Sequence, residues 1–381
     1  MVTASPVRAY RSDSTDPETR GLQLGRDRGP QVRAALAAYR GLWDAYGVDD
    51  DEVRAVGSAV LDPVAAYAPD LRAEMAGIAR GSGLAEWEVG ALNARSELLA
   101  LGDQRLIAAG LLPGEGLSEC SAFVRLDAPA TAGRAAGPIT AQTWDWHTPL
   151  RDHWFVWSLR LADGREVDTL TEFGIVGKIG VARWADGGAL SVHFNALRHS
   201  ADAGNGGVPV HVVARRILDE ARTVDEALTI ADKAEVTASA AVTVTGRSDG
   251  GWTAASLELR PDGPSVVAAS DGWLAHTNHF LATDVDETDQ VSSAVSTTHP
   301  RLDRVCGVAA GDPPLHRDAA AARLATHDLG PRSVCVHGFP ELPVGQASAT
   351  LAVAVTEPAD GRLHVHGGLP CEVSPEGWWS S

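Results

Sequence analysis

A change of hydrophobic period near residue 120 constrains the fold of this chain more than any other feature. From about residue 28 to 101, in stretches such as PQVRAALAAYRGLWDAYG and DLRAEMAGIARGSGLAEWEVGALNARSELLALG, apolar residues recur at helical spacing. Pro30 and Asp50 stand where helices begin. After Cys120 the pattern becomes short alternating or apolar runs: CSAFVRLDA, GPITAQTWDW, HWFVWSLRLADG and VDTLTEFGIVGKIGVARWADGGALSVHFNAL. ADGRE and ADGGA supply the residues that tolerate positive φ, so these runs read as antiparallel strands joined by tight turns. Helices return in VPVHVVARRILDEARTVDEALTIADKAEV and around HRDAAAARLATH, with strands up to about residue 280 and two last strands near ATLAVAVTEP and GRLHVHGG. Such an order predicts an α+β fold with helices on both faces of stacked antiparallel sheets.

Bulk properties exclude several partners. With 50 acidic against 32 basic side chains the net charge is -18, which repels phosphate backbones and argues against nucleic acid. No apolar run approaches the roughly 20 residues of a membrane span, so no membrane partner is expected. Cys120, Cys306, Cys335 and Cys371 are far apart and form no CxxC pair, which predicts neither a zinc site nor a disulfide framework. Sparse cysteines and an amino terminus without a basic start and apolar core fit a cytoplasmic protein. The DAPATAGRAAGP stretch reads as a surface extension of a hairpin.

Cys120 opens a strand directly after the glycine-rich GEGLSE. One reading is an ordinary small apolar residue. Another is a nucleophile that becomes an amino terminus. A thiol needs a base, and cleavage between Glu119 and Cys120 would supply one. A free α-amino group has a pKa of about 7.7 to 8.0, close to a thiol's value of about 8.5. Such chemistry also needs an oxyanion donor and a group to hold the amine in line. Asp145 lies between Trp144 and Trp146, Asn195 and Asn278 each close an apolar run, and Arg301 or Arg304 can neutralise a carboxylate.

The ordered motifs ECSAF, AQTWDWH, TEFGIVGKIGV, LSVHFNAL and HTNHF resemble the acyl-coenzyme A:6-aminopenicillanic acid acyltransferase family, the C45 group of self-processing amino-terminal-nucleophile (Ntn) hydrolases. The resemblance implies a four-layer αββα sandwich whose precursor cuts itself before the cysteine. It would divide the chain into a helical alpha portion, 1–119, and a beta portion, 120–381, together one globular unit. Cys120 would be the autoprocessing and catalytic nucleophile, its freed amine the base, Asp145 the residue that holds amine and thiol, and Asn278 the oxyanion asparagine. Asn195 would be a second polar contact, Arg301 the arginine that pairs with the aspartate, and Arg304 the other candidate for that pairing. Glu119 stands where the family's penicillin enzyme has glycine before the cut. Thr143 replaces an asparagine before Trp144, and Ala182 or Arg183 falls where an asparagine is common, so these positions are expected to shape the pocket.

Each residue also has a plain structural reading. Asn195 and Asn278 suit turns after strands. Motif order favours function for Asn278 and leaves Asn195 open. Glu172 and Lys178 read as an ion pair at a hairpin, and the histidines of LHVHGG as surface strand residues rather than metal ligands. His276 and His279 flank Asn278 and are pocket-lining candidates, with His279 a substrate-binding one. Cys306, Cys335 and Cys371 read as buried apolar residues. The tryptophans at 144, 146, 154 and 157 suit either core packing or an apolar acyl pocket. No cofactor and no metal are expected. The expected function is that of an autoprocessing amidohydrolase acting on a small amide or N-acyl compound through an acyl-enzyme. Acyl transfer from a coenzyme A thioester to an amine is the alternative, and an unprocessed binding protein the second alternative. Its partners would be the small-molecule substrate and the paired alpha and beta chains of one precursor, and a homo-oligomer is compatible with all of these readings.

Overall fold

The structure is a computed structural model that describes residues 6–108, 120–282, 296–338 and 342–381. The chain begins with β1 (Ala9–Arg11) and six helices: α1 (Pro17–Ala45), α2 (Asp50–Ala59), α3 (Leu61–Tyr67), α4 (Pro69–Ser82), α5 (Glu86–Asn93) and α6 (Arg95–Ala108). Asp49 caps α2 in a reciprocal capping box with Glu52, so the acidic pair DD at this point does start a helix. Pro30 does the same: α1 is two helices joined across a kink at Arg28 (φ -124°, ψ 16°), and Pro30 falls in the first turn of the second, where its missing N–H costs no intrahelical hydrogen bond.

Six strands follow, β2 (Ser121–Ala128), β3 (Gly137–His147), β4 (Trp154–Arg160), β5 (Glu166–Glu172), β6 (Ile179–Arg183) and β7 (Ala189–Ala196). Next come α7 (Val210–Glu220), α8 (Val224–Asp232), β8 (Ala240–Ser248), β9 (Gly251–Leu259), β10 (Ser265–Ala268) and β11 (Trp273–His276). The chain ends with α9 (Thr298–Ala310), α10 (Arg317–Arg323), β12 (Ser348–Glu357), β13 (Arg362–Gly367) and β14 (Trp378–Ser380). One sheet runs β1-β4-β5-β6-β7-β8-β9-β10 and the other β11-β2-β3-β12-β13-β14. All pairs are antiparallel except β1 with β4. Helices α7 and α8 cover the outer face of the first sheet, α9 and α10 that of the second, and the two sheets face each other. The four-layer αββα arrangement is therefore the observed one.

Central position explains why β3 is buried along its whole length. Its alternation does not separate core from solvent but two buried faces: Thr140 and Gln142 reach His193 and Phe194 of the facing sheet, while Ile139 and Ala141 join the core under α9 and α10. The six amino-terminal helices close one end of the sandwich. Leu92 and Val32 pack on Gly174, whose φ of +97° turns the chain out of β5 and whose missing Cβ leaves room for Leu92. Glu74 of α4 joins Arg20 of α1 (2.6 Å) to Arg215 of α7 (2.9 Å) in a fully buried ion cluster. Among the described residues, no helix is long and apolar enough to cross a membrane.

Candidate active site

Strand register brings the site together. In the second sheet, Ser121 pairs with Thr143 and Asp145 with Thr350. Cys120 therefore sits at the end of β2, beside the carboxyl-terminal end of β3. Its side chain is buried, 4 % exposed, and its Sγ lies 3.8 Å from the Asp145 carbonyl oxygen. Two side chains hold the Cys120 carbonyl. Asn195 Nδ2, from β7 in the facing sheet, donates at 3.1 Å, and Arg301 Nη1, from α9, donates at 3.1 Å.

Arg301 is fully buried and gathers the rest. Its Nη1 also donates to Ser121 Oγ (2.8 Å), its Nη2 to Asn278 Oδ1 (3.1 Å) and its Nε to Thr297 Oγ1 (3.2 Å). Asn278 is fixed further by Thr298, which accepts from its backbone N–H at 2.8 Å, and by the Ala196 carbonyl, which accepts from Nδ2 at 2.9 Å. Asn195 keeps a buried Oδ1 that accepts no hydrogen bond from the described residues. Arg304, three residues on, is on the surface and pairs with Asp328. The cluster thus contains Arg301 and not Arg304.

Two threonines hold the Asp145 carboxylate. Asp145 Oδ2 accepts from Thr143 Oγ1 (3.3 Å) and Oδ1 from Thr350 Oγ1 (2.5 Å). Thr143 also accepts from the Ser121 N–H at 3.3 Å, so it joins nucleophile strand and carboxylate rather than lining a pocket. Arg183, another expected pocket residue, pairs with Glu166 and Asp168 across the first sheet. His279 is held by Thr298 at 2.9 Å, and burial beside His299, His276 and Arg301 lowers it to about 3, leaving a neutral imidazole. Glu258 accepts from His276 Nε2 at 2.8 Å, deep in the core.

The electrostatics contain a residue that sequence reasoning placed elsewhere. Burial, reinforced by the Asp145 carboxylate, pushes the Cys120 thiol up to about 11, while Lys178 and Arg301 pull it back. Glu172 and Lys178 do form the expected ion pair, at 3.8 Å, but it is buried and belongs to the site's surroundings. Lys178 Nζ lies 3.7 Å from the Trp144 ring centre and has no hydrogen-bond partner. Burial and the Arg95 charge lower it to about 7. Glu172 is bound in turn by Tyr39 of α1 and by Arg95 of α6 (3.0 Å), and Tyr39 accepts from Trp146 Nε1 at 3.0 Å. The tryptophans expected near the nucleophile are core residues, Trp144 packing edge-on against Trp154 at 6.1 Å. The only sequence signal for Lys178 was its place in GKIG after a turn.

Two other expectations change. His364 and His366 are buried, His364 against Glu357 of the neighbouring strand (3.1 Å), a partner 7 residues away that only strand pairing reveals. Of the three remaining cysteines only Cys335 is buried, Cys306 being half-buried and Cys371 exposed. Glu119, on the amino side of the expected cut, lies outside the described residues. A small cleft of about 40 Å³ adjoins the site, between α6 and the ends of β3 and β7, lined by Trp146, His147, Ala196 and Asp103. That volume holds a water or two and no acyl group.

Comparison with known proteins gives one family and several distant structures. The family described as acyl-coenzyme A:6-aminopenicillanic acid acyl-transferase matches residues 133–366. The match begins after Cys120, so that residue rests on the geometry above. A Caenorhabditis elegans N-acylethanolamine-hydrolyzing acid amidase ortholog is 15 % identical over 63 % of this chain and 93 % of its own, with a TM-score of 0.41. Penicillin V acylase from Agrobacterium tumefaciens is 16 % identical over 65 % and 83 %, with a TM-score of 0.42. A variant of conjugated bile acid hydrolase from Clostridium perfringens is 12 % identical over 66 % and 82 %, with a TM-score of 0.29.

Proposed function

We propose, from the premise that the chain belongs to the acyl-coenzyme A:6-aminopenicillanic acid acyl-transferase family, that it is an amidohydrolase whose nucleophile is an amino-terminal Cys120. Family membership makes it an amide-cleaving or acyl-transferring enzyme. The finer reading rests on one observation: two buried side chains from separate layers, Asn195 and Arg301, converge on the Cys120 carbonyl, and the same arginine holds Asn278.

In an unbroken chain the Cys120 nitrogen is an amide and cannot accept a proton. Cutting between Glu119 and Cys120 divides the chain into portions 1–119 and 120–381 and frees an amine next to the thiol. The unpartnered Oδ1 of Asn195 then supplies an acceptor for that amine, and the Asp145 carboxylate, fixed by Thr143 and Thr350, favours its protonated form. The amine takes the thiol proton, Sγ attacks a substrate carbonyl, and the second N–H of Asn278 donates to the oxyanion. The leaving amine departs with the proton, and water releases the acyl group from sulfur. An amine in place of water would make the same centre an acyltransferase.

Small N-acyl compounds are the substrates to test first, because the family is described by acyl transfer to a small amine, 6-aminopenicillanic acid. Cys120→Ala is expected to lose all release of amine from a panel of N-acyl substrates. A thioester assay with and without an amine acceptor separates hydrolysis from transfer. Full activity in Cys120→Ala would overturn the assignment.

A further inference from the structure

Outside the Cys120 site, four metal-binding side chains converge at one point. His327 follows α10, Cys335 and His337 lie in the connection to β12, and Cys371 lies beyond β13. One donor atom from each falls within 4.8 Å of every other. His327 Nε2 is 3.0 Å from His337 Nε2, Cys371 Sγ is 3.5 Å from His337 Nε2, and Cys335 Sγ is 3.6 Å from Cys371 Sγ.

Three of the six donor separations match edges of a coordination tetrahedron, and all six lie within 4.8 Å. With zinc–sulfur bonds of about 2.3 Å and zinc–nitrogen bonds of about 2.05 Å, the edges of a tetrahedral site are roughly 3.8 Å for sulfur to sulfur, 3.6 Å for sulfur to nitrogen and 3.3 Å for nitrogen to nitrogen. The three measured separations fall within about 0.3 Å of those edges. Two thiolates and two imidazoles are the donors that select zinc over harder cations, and four protein ligands leave no open position for a substrate. We propose that His327, Cys335, His337 and Cys371 bind one structural zinc ion.

Residue spacing does not reveal the cluster because the ligands are set by the fold: spacing argues only for ligands close in the chain, and Cys371 joins the others through the pairing of β12 with β13. The ion would tie the connection before β12 to the turn after β13. That connection supports the catalytic residues. The Val336 N–H donates to Thr350 Oγ1 at 3.1 Å, and Thr350 donates to Asp145; the Arg332 carbonyl accepts from Thr297, which accepts from Arg301. The proposal does not depend on the chemistry of Cys120.

The test is the zinc content of the full chain, purified under reducing conditions from zinc-supplemented medium, with Cys371→Ser, His337→Gln and Cys120→Ala alongside. About one ion per chain is expected in the wild type and Cys120→Ala, falling to below about a tenth in the other two. Cobalt substituted into the wild type should show the ligand-field bands of a tetrahedral ion and a sulfur charge-transfer band, a readout that stands even if a variant fails to fold. Zinc retained by both ligand variants, no uptake by the reduced wild type, or a Cys335–Cys371 disulfide in freshly isolated protein would each overturn it.

Discussion

At the residue scale, Arg301 and Lys178 carry distinct predictions. The Arg301 guanidinium donates from one plane to Cys120, Ser121 and Asn278, a geometry that a lysine ammonium cannot reproduce. Arg301→Lys is expected to lower kcat by about 10²-fold with little change in KM, since the groups it aligns act on the transition state; activity within a few-fold of wild type would contradict that role. Lys178 tests the field at the thiol. Its folded value of about 7 lies below its ordinary 10.5, so between these values the unfolded chain holds the extra proton and stability from this group rises with pH. The wild type should gain stability relative to Lys178→Met as pH climbs through that window, read as the difference in Tm between the two. Below about pH 7 Lys178 is charged and draws the Cys120 thiol down, so Lys178→Met should also slow Cys120 alkylation most at low pH, as followed by peptide mass mapping.

At the scale of elements, period and turn chemistry made most strands legible, because each alternating run between ADG turns had one stable pairing. The boundary between the helical and strand-rich portions was legible for the same reason. What was not legible depends on neighbours far away in the chain. The THPRLDRV stretch forms α9 around a buried Arg301 that its polar sequence conceals, and β1 joins β4 in parallel. Cys120, Asp145, Asn195 and Asn278 were found through motif order, and Thr350, Ser121 and Tyr39 were not, because strand register and helix packing alone bring them there. The Arg20–Glu74–Arg215 cluster joins α1, α4 and α7 in the same way. Glu74→Ala leaves two buried guanidiniums short of their counter-charge and is expected to cost roughly 3–5 kcal/mol, measured by denaturant unfolding. A loss below about 1 kcal/mol would show that water or Asp219 replaces the carboxylate.

Across the whole molecule, the amino-terminal helices and the sandwich share two buried polar clusters. Tyr39 and Arg95 bind Glu172, and Arg20 and Arg215 share Glu74, so portions 1–119 and 120–381 are expected to stay together after a cut. The two pieces should co-elute in native size-exclusion chromatography and separate only in denaturant. Whether the cut occurs decides whether Cys120 has a base of its own, and the direct measurement is intact mass under denaturing conditions for the wild type and Cys120→Ala. The account predicts two wild-type masses that correspond to a break between Glu119 and Cys120, and one uncut mass for Cys120→Ala. A single uncut chain in both, in protein that still turns over an N-acyl substrate, would contradict it.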